Sequence, residues 1–275
     1  MNGTTQLVRT PNYCQSTKHA LIAWSIMQRF LPIALSLTLL IIASGCDLGS
    51  DARAQSVEPP PQTSDLDLTD ATVTYREALD LLVFEATVEG SAGATTPTPN
   101  GALDGAPVLG YVFPTTLSAD AVGFGDIEGT LALAVTSHPD FDDTPLWDEN
   151  GDANTGNDGV VYHTHWVVLR EDERVAGGLS VVQYEEGADV TVPATHPGMP
   201  MYLDSPGFSV VRTGNTLKVL VPAARVSNHI DFQADAVTAY MEVNTSDDSR
   251  PMLGVYDIYE ILSGDLSLPI SVQPQ

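Results

Sequence analysis

Cysteine is scarce in this sequence, and the shortage excludes several classes of function. The 275 residues contain two cysteines, Cys14 and Cys46. If the leader described below is removed, Cys46 is the only cysteine that remains, so an intrachain disulfide, a thiol active site away from Cys46 and covalent haem attachment are excluded. The sequence also contains no Gly-x-Ser-x-Gly elbow, P-loop or dinucleotide-binding fingerprint.

Basic residues are scarce as well. The chain has 11 Lys and Arg against 36 Asp and Glu, which gives a formal net charge of −25. All the acidic residues follow Cys46, and Lys218 is the only lysine after it. Such a surface repels nucleic acid and anionic lipid, because both are bound mainly through Lys and Arg. It attracts cations, but the same charge also keeps a protein hydrated in high salt, so charge alone does not indicate a metal-binding function.

An apolar run at residues 30–45 is shorter than the roughly 20 residues that a membrane span needs. Arg29 precedes it, and Ala43, Ser44 and Gly45 close it directly before Cys46. This pattern resembles the lipobox of bacterial lipoproteins, in which a peptidase cuts before a lipid-modified cysteine. The resemblance covers residues 27–46, and it departs from the usual motif in having Ala43 where leucine is common.

The resemblance implies a cleaved signal peptide over residues 1–45, with translation starting at Met27, and lipid on Cys46. Residues 46–69 are polar and rich in proline and have no apolar periodicity, which is typical of a disordered tether. We therefore expect a membrane partner through the lipid anchor, and a location in the cell envelope that faces the periplasm or the exterior. A soluble secreted protein and an uncleaved signal anchor are the alternatives.

Residues 70–270 predict an all-β domain, either a β-sandwich or barrel-like antiparallel sheets. Short runs rich in β-branched and aromatic residues alternate there with turn signals, and LVFEATV and TLKVLV alternate apolar and polar residues. The predicted strands are 71–76, 81–90, 106–113, 129–137, 159–171, 178–184, 189–194, 207–214, 216–223, 236–244 and 255–261.

His163 and His165 lie two residues apart in the predicted strand GVVYHTHWVVLRE. Side chains at i and i+2 of a strand point to the same face, so both imidazoles project together. Both faces of this strand are largely apolar, which favours a central strand with partly buried histidines. A shared cation or separate hydrogen-bond partners would each explain the pair.

Further ligands must come from other segments of the chain. His138, His196 and His229 are the candidates, and Asp140 or Asp142 could also reach the metal. The histidine pair with His138 or His229 suits zinc, copper or iron, whereas His196 with Met199 and Met201 would favour copper(I). Both methionines could instead simply pack in a proline-rich loop.

The same stretch shares elements with the first cupin motif, namely Gly156, His163, His165, Glu171 and Gly178. The spacings around the histidine pair are longer than in that motif, and no second motif with Pro-x-Gly, His and Asn follows. We therefore do not assign the chain to the cupins.

A loop that precedes the histidine strand carries oxygen-bearing side chains in alternation: Asp148, Asn150, Asp152 and Asn154. Calcium-binding loops of the EF-hand type have such alternation, but Ala153 stands where they need Gly and Gly159 where they need Glu. A looser Ca²⁺ site or a solvated turn-rich loop remain the two interpretations.

These features leave three hypotheses about function. The first is a non-enzymatic binding lipoprotein with a transition-metal site at His163 and His165. The second is a metal-dependent enzyme, cupin-like or hydrolytic, that uses the same site with an open coordination position. The third is a structural or interaction module whose histidines bind no metal.

Overall fold

The computed structural model describes residues 58–144 and 146–275. The predicted signal peptide, the predicted lipid site at Cys46 and the first half of the predicted tether, residues 46–57, lie outside these residues. The described residues contain strands, loops and short 3-10 helices, and none of their helices has the length and apolar character to cross a membrane.

The fold of the described residues is all β, as predicted. Its strands in chain order are β1 (Leu68–Arg76), β2 (Leu81–Val88), β3 (Pro107–Pro114), β4 (Thr130–Ser137), β5 (His163–Glu171), β6 (Leu179–Val181), β7 (Leu203–Asp204), β8 (Ser209–Thr213), β9 (Thr216–Pro222), β10 (Gln233–Ala234), β11 (Val237–Val243), β12 (Leu253–Ile261), β13 (Ile270–Ser271) and β14 (Gln273–Pro274). The 3-10 helices are Glu77–Leu79, Ala119–Val122, Asp158–Val160 and Ala223–Val226.

Six strands form a closed antiparallel barrel in the order β4-β3-β11-β12-β6-β5, and pairing of β5 with β4 closes the ring. Closure leaves no free edge on these strands, which removes a template for aggregation. The short strand β7 pairs with β5 beside β6.

A second sheet, in the order β14-β1-β2-β9-β8, packs against the outside of the barrel. Strand β2 is buried at every second residue, as its alternating sequence predicts for a sheet with one covered face. The ring of Phe84 on this strand contacts Phe113 and Trp166 of the barrel, with centroid distances of 5.5 and 6.3 Å. A smaller sheet pairs β10 with β13.

The barrel strands therefore separate two apolar cores. In β5, Thr164, Trp166 and Val168 face the second sheet, whereas His163, His165, Val167 and Leu169 face the barrel interior. Both faces are buried, which explains why both were apolar in the sequence. The prediction that β5 is a central strand is confirmed.

Ten of the eleven predicted runs contain a strand, and the prediction for residues 189–194 is wrong. Val190 and Val192 pack partly buried against the core, but this segment has no strand neighbour with which to form a ladder. The Thr191 carbonyl accepts a hydrogen bond from the Gly125 amide, and the segment's other backbone hydrogen bonds are local turns. Strand β1 begins two residues before the predicted start of the domain, and Leu66 ahead of it is fully buried.

Candidate metal centre

Three histidines meet at one end of the barrel because of the register between β4 and β5. Thr136 pairs with His163 and Ala134 with His165. His138 lies two residues beyond Thr136, so its side chain points to the same side of the sheet as Thr136 and the histidine pair. The barrel thus brings together three imidazoles that are separated in sequence.

Asp143 supplies a carboxylate between the three rings. Its Oδ1 atom lies 3.4 Å from Nε2 of His138, 3.3 Å from Nε2 of His163 and 3.6 Å from Nε2 of His165. The four ligand atoms lie within 4.8 Å of one another, and all four residues are buried. A shared cation could contact all of them.

Second contacts orient each imidazole. The Nδ1 atom of His138 lies 3.0 Å from the Phe141 carbonyl, and that of His163 lies 2.6 Å from the Val161 carbonyl. Because a carbonyl can only accept, both Nδ1 atoms carry the hydrogen, and each ring presents a lone pair at Nε2 when it is neutral. Nδ1 of His165 lies 3.1 Å from the Ser205 hydroxyl. Histidine ligands of metal ions commonly have such partners on the other ring nitrogen.

The protein atoms alone do not satisfy every polar atom of this cluster. Nε2 of His138 and Nε2 of His165 are buried and have no hydrogen-bond partner. Burial lowers the pKa of His165 to about 3, so this ring is neutral near pH 7 and able to bind a metal. Burial raises the pKa of Asp143, but the three imidazoles outweigh that effect and hold it well below its usual value. An ionised carboxylate therefore lies beside two buried Nε2 atoms that have no hydrogen-bond partner.

The donor set is three nitrogens and one oxygen. Imidazole and carboxylate suit zinc, iron(II) and copper(II), and the set lacks the thiolate or thioether sulfur that favours copper(I). Met201 packs in the core of the barrel, and Met199 lines the cavity beside the cluster.

The other predicted ligands lie elsewhere. His196 is engaged by the Tyr184 hydroxyl, the Met201 carbonyl and the Gly198 amide, and His229 is exposed. Asp140 accepts hydrogen bonds from the amides of Asn100 and Gly101.

The carboxylate of the cluster comes from Asp143 and not from Asp142. Asp142 accepts from the amides of Thr144 and Asp158, so it stabilises the loop around the cluster. In the sequence three aspartates follow His138, but no sequence pattern shows which of them points toward the histidines.

Glu149 is a further residue that sequence reasoning missed. Its Oε1 atom is buried without a hydrogen-bond partner, and its Oε2 atom accepts from the Thr144 hydroxyl at 3.2 Å. Burial raises the pKa of Glu149, although the nearby His163 opposes the shift. A second carboxyl group therefore lies close to the cluster. The sequence did not single it out, because it is one of many acidic residues in the same loop.

The predicted calcium loop turns its oxygens onto its own backbone. Asp148 accepts from the amides of Gly151, Asp152 and Ala153, and Asn150, Asp152 and Asn154 each accept from the amide two residues ahead. This is the hydrogen bonding of a turn-rich loop. Calcium binding here stays a prediction.

An apolar cavity of about 60 Å³ adjoins the His₃Asp cluster inside the barrel. His138, Asp143 and His165 line one part of it, and the remainder is lined almost wholly by aliphatic side chains of the barrel strands.

Fold and site together define an all-β protein that has a closed six-stranded barrel and a buried His₃Asp cluster able to hold a metal ion. A scan against known protein families, a search of curated proteins and a search of solved structures each found no match. Function is therefore argued from the site.

Proposed function

We propose that this protein is a lipoprotein of the cell envelope whose barrel binds one transition-metal ion through His138, Asp143, His163 and His165. Lipid on Cys46 would tether the chain, and the barrel would face the periplasm or the exterior. Zinc, iron(II) and copper(II) are the ions that fit the donor set best.

The observation that carries the metal proposal is the convergence of three Nε2 atoms on one carboxylate oxygen. The Nδ1 atom of each ring has its own partner, so the rings are fixed before any ion arrives. A preformed second set of contacts is characteristic of metal ligands, because it fixes both the tautomer and the direction of the lone pair.

A metal-free structural cluster fits the contacts less well. A proton on His163 would satisfy the contact between its Nε2 atom and Asp143, and the carboxylate does raise the pKa of His163 against the effect of burial. It would leave Nε2 of His138 and of His165 buried without partners. Each unsatisfied buried polar atom costs about 1–3 kcal/mol, whereas one cation would satisfy both nitrogens.

Metal analysis of the full-length chain, purified without a polyhistidine tag, tests the proposal. We expect about one equivalent of zinc, iron or copper per chain, since the four donors surround one position. The double variant His163→Ala/His165→Ala should lose it. His229→Ala is the matched control, because His229 is exposed and outside the cluster, and it should retain the metal. A metal-free wild-type protein that gains no thermal stability from zinc, iron(II) or copper(II) would refute the proposal.

The envelope part of the proposal is supported by the apolar run, the small residues before Cys46 and the polar stretch after it. Labelled palmitate fed to expressing cells should appear in the wild-type protein and be absent from Cys46→Ser. Label in Cys46→Ser equal to the wild type would contradict lipidation at this position.

A metal-dependent enzyme is the second candidate function, and the apolar cavity beside the donors favours it. A purely structural metal site is normally closed by protein atoms, whereas a catalytic site keeps a position for water or substrate. Three of the four proposed ligands line this cavity, so a bound metal ion would face it.

A further inference from the structure

The barrel interior is packed differently from an ordinary β core. The residues that line its cavity include several small ones, among them Ala134 and Ala239. The cavity of about 60 Å³ extends along β3 from Val108 to Pro114. One water needs roughly 10–15 Å³ measured in this way, so the space holds a molecule of several heavy atoms.

The lining of the cavity selects against charge. Away from the cluster it consists of aliphatic side chains such as Val112, Val167, Leu203 and Val255. Cavities of this kind stay dry and accept apolar guests, because water inside them finds too few hydrogen-bond partners. A charged group in that part of the cavity would lose its hydration without compensation.

The polar atoms of the cavity are confined to one part of it. His138, Asp143 and His165 line it, and so does Thr136, whose hydroxyl is buried without a hydrogen-bond partner. Thr136 pairs with His163 across the strands, so its hydroxyl belongs to the metal-binding end of the barrel. The polar side chains that line the cavity therefore lie together at the end that holds the proposed ligands.

We propose that the barrel cavity binds a small uncharged molecule with an apolar body, which presents a single nitrogen or oxygen donor atom to the metal. This inference rests on the metal centre proposed above. The metal ion would hold the polar end, and the aliphatic lining would hold the body.

Cobalt(II) bound to the full-length protein provides the test, because its visible spectrum changes when a ligand enters its coordination sphere. The probes are pyridine, 4-methylpyridine and isonicotinate, which share one ring nitrogen. We expect pyridine to alter the spectrum, and 4-methylpyridine to bind about fourfold more tightly, since each buried methylene contributes about 0.8 kcal/mol. Isonicotinate carries a carboxylate where 4-methylpyridine carries its methyl group, and it should bind at least tenfold more weakly.

Three controls test whether the probe binds in the cavity. Metal-stripped protein should bind 4-methylpyridine at least tenfold more weakly, because the donor atom has lost its partner. Ala239→Leu fills part of the cavity, so it should keep one equivalent of cobalt and lose at least tenfold in affinity for 4-methylpyridine. Val211→Leu, on the exposed part of the second sheet, should leave both unchanged.

The outcomes separate the two proposals. Failure to take up cobalt, zinc, iron(II) or copper(II) overturns the metal centre and this inference with it. Uptake of cobalt with a spectrum that pyridine leaves unchanged overturns this inference alone, and so does isonicotinate binding as tight as that of 4-methylpyridine. The comparison of the three probes needs only wild-type protein, so it decides the question even if Ala239→Leu does not fold.

Discussion

The two cores on either side of the barrel wall differ in what fills them. The layer between the barrel and the second sheet contains large rings, including Phe84, Phe113 and Trp166, that pack edge to face. The barrel interior is lined by smaller aliphatic side chains and contains the cavity and the His₃Asp cluster. The same strands contribute to both cores with alternate residues.

This difference indicates that the outer core stabilises the fold and that the barrel interior serves binding. Close-packed aromatic contacts stabilise a fold, because each ring buries a large apolar area. A cavity and unpaired buried polar atoms reduce stability, and native structures tolerate them mainly where they serve binding or chemistry. Substitutions in the outer layer should therefore affect folding, and substitutions in the barrel interior should affect metal and ligand binding.

The largest effect on stability is expected at Phe84. This side chain is fully buried and contacts the rings of Phe113, Trp166 and Phe232. Phe84→Ala should lower the free energy of unfolding by about 3–5 kcal/mol, because it leaves a cavity among rings that cannot collapse around it. Urea unfolding of metal-free protein measures the change.

Metal content shows whether the loss of stability at Phe84 also disturbs the metal site. Folded Phe84→Ala, or the milder Phe84→Leu if alanine prevents folding, should still bind one equivalent of metal. Phe84→Leu should cost less than Phe84→Ala, because it leaves a smaller cavity. Loss of metal from folded Phe84→Leu would show that the two cores do not act separately.

The second expected effect is stabilisation by the metal itself. At a free metal concentration of about 1,000 times Kd, binding should raise the free energy of unfolding by about 4 kcal/mol, because the ion binds the folded chain alone. Thermal or urea unfolding with and without zinc measures it. Asp143→Asn should lose most of this gain, since an amide cannot replace the negative charge at the centre of the cluster.

Asp142→Asn is the matched control for Asp143→Asn. It removes the adjacent carboxylate, which bonds to loop amides and lies outside the metal cluster. Zinc should stabilise this variant as it does the wild type. Equal stabilisation of Asp143→Asn and wild type would remove Asp143 from the set of ligands.

The fold was more predictable from sequence than the site, and β5 shows why. Its alternation of residues and its apolar faces determine that it is a buried strand with both histidines on one side. His138 was recognisable as a candidate because it directly follows the preceding strand. The identity of the carboxylate was not, because the loop after His138 decides which aspartate turns inward.

Long-range contacts account for the other differences. His196 and His229 are the same residue type as the proposed ligands, but they lie in loops outside the barrel strands. Glu149 and Ser205 carry no local pattern that links them to the histidines. The segment 189–194 has the composition of a strand but no neighbouring edge, and strand formation needs a partner as well as propensity.

The smallest expected effect, and the one that distinguishes orientation from ligation, is at Ser205. Its hydroxyl lies 3.1 Å from Nδ1 of His165. Ser205→Ala should weaken metal binding by about 10- to 100-fold, because the ring loses the contact that fixes its direction. The stability of the metal-free protein should fall by only about 1 kcal/mol. Competition titration with a chromogenic chelator measures the affinity.

Thr115→Val supplies the comparison for Ser205→Ala. The Thr115 hydroxyl is also buried, and it donates to the Leu131 carbonyl at 2.9 Å, away from the cluster. Its loss should cost a similar amount of stability and leave the metal affinity unchanged. If Ser205→Ala and Thr115→Val had the same metal affinity, the Ser205 contact would be a packing feature of the barrel, and His165 would be oriented by the strand alone.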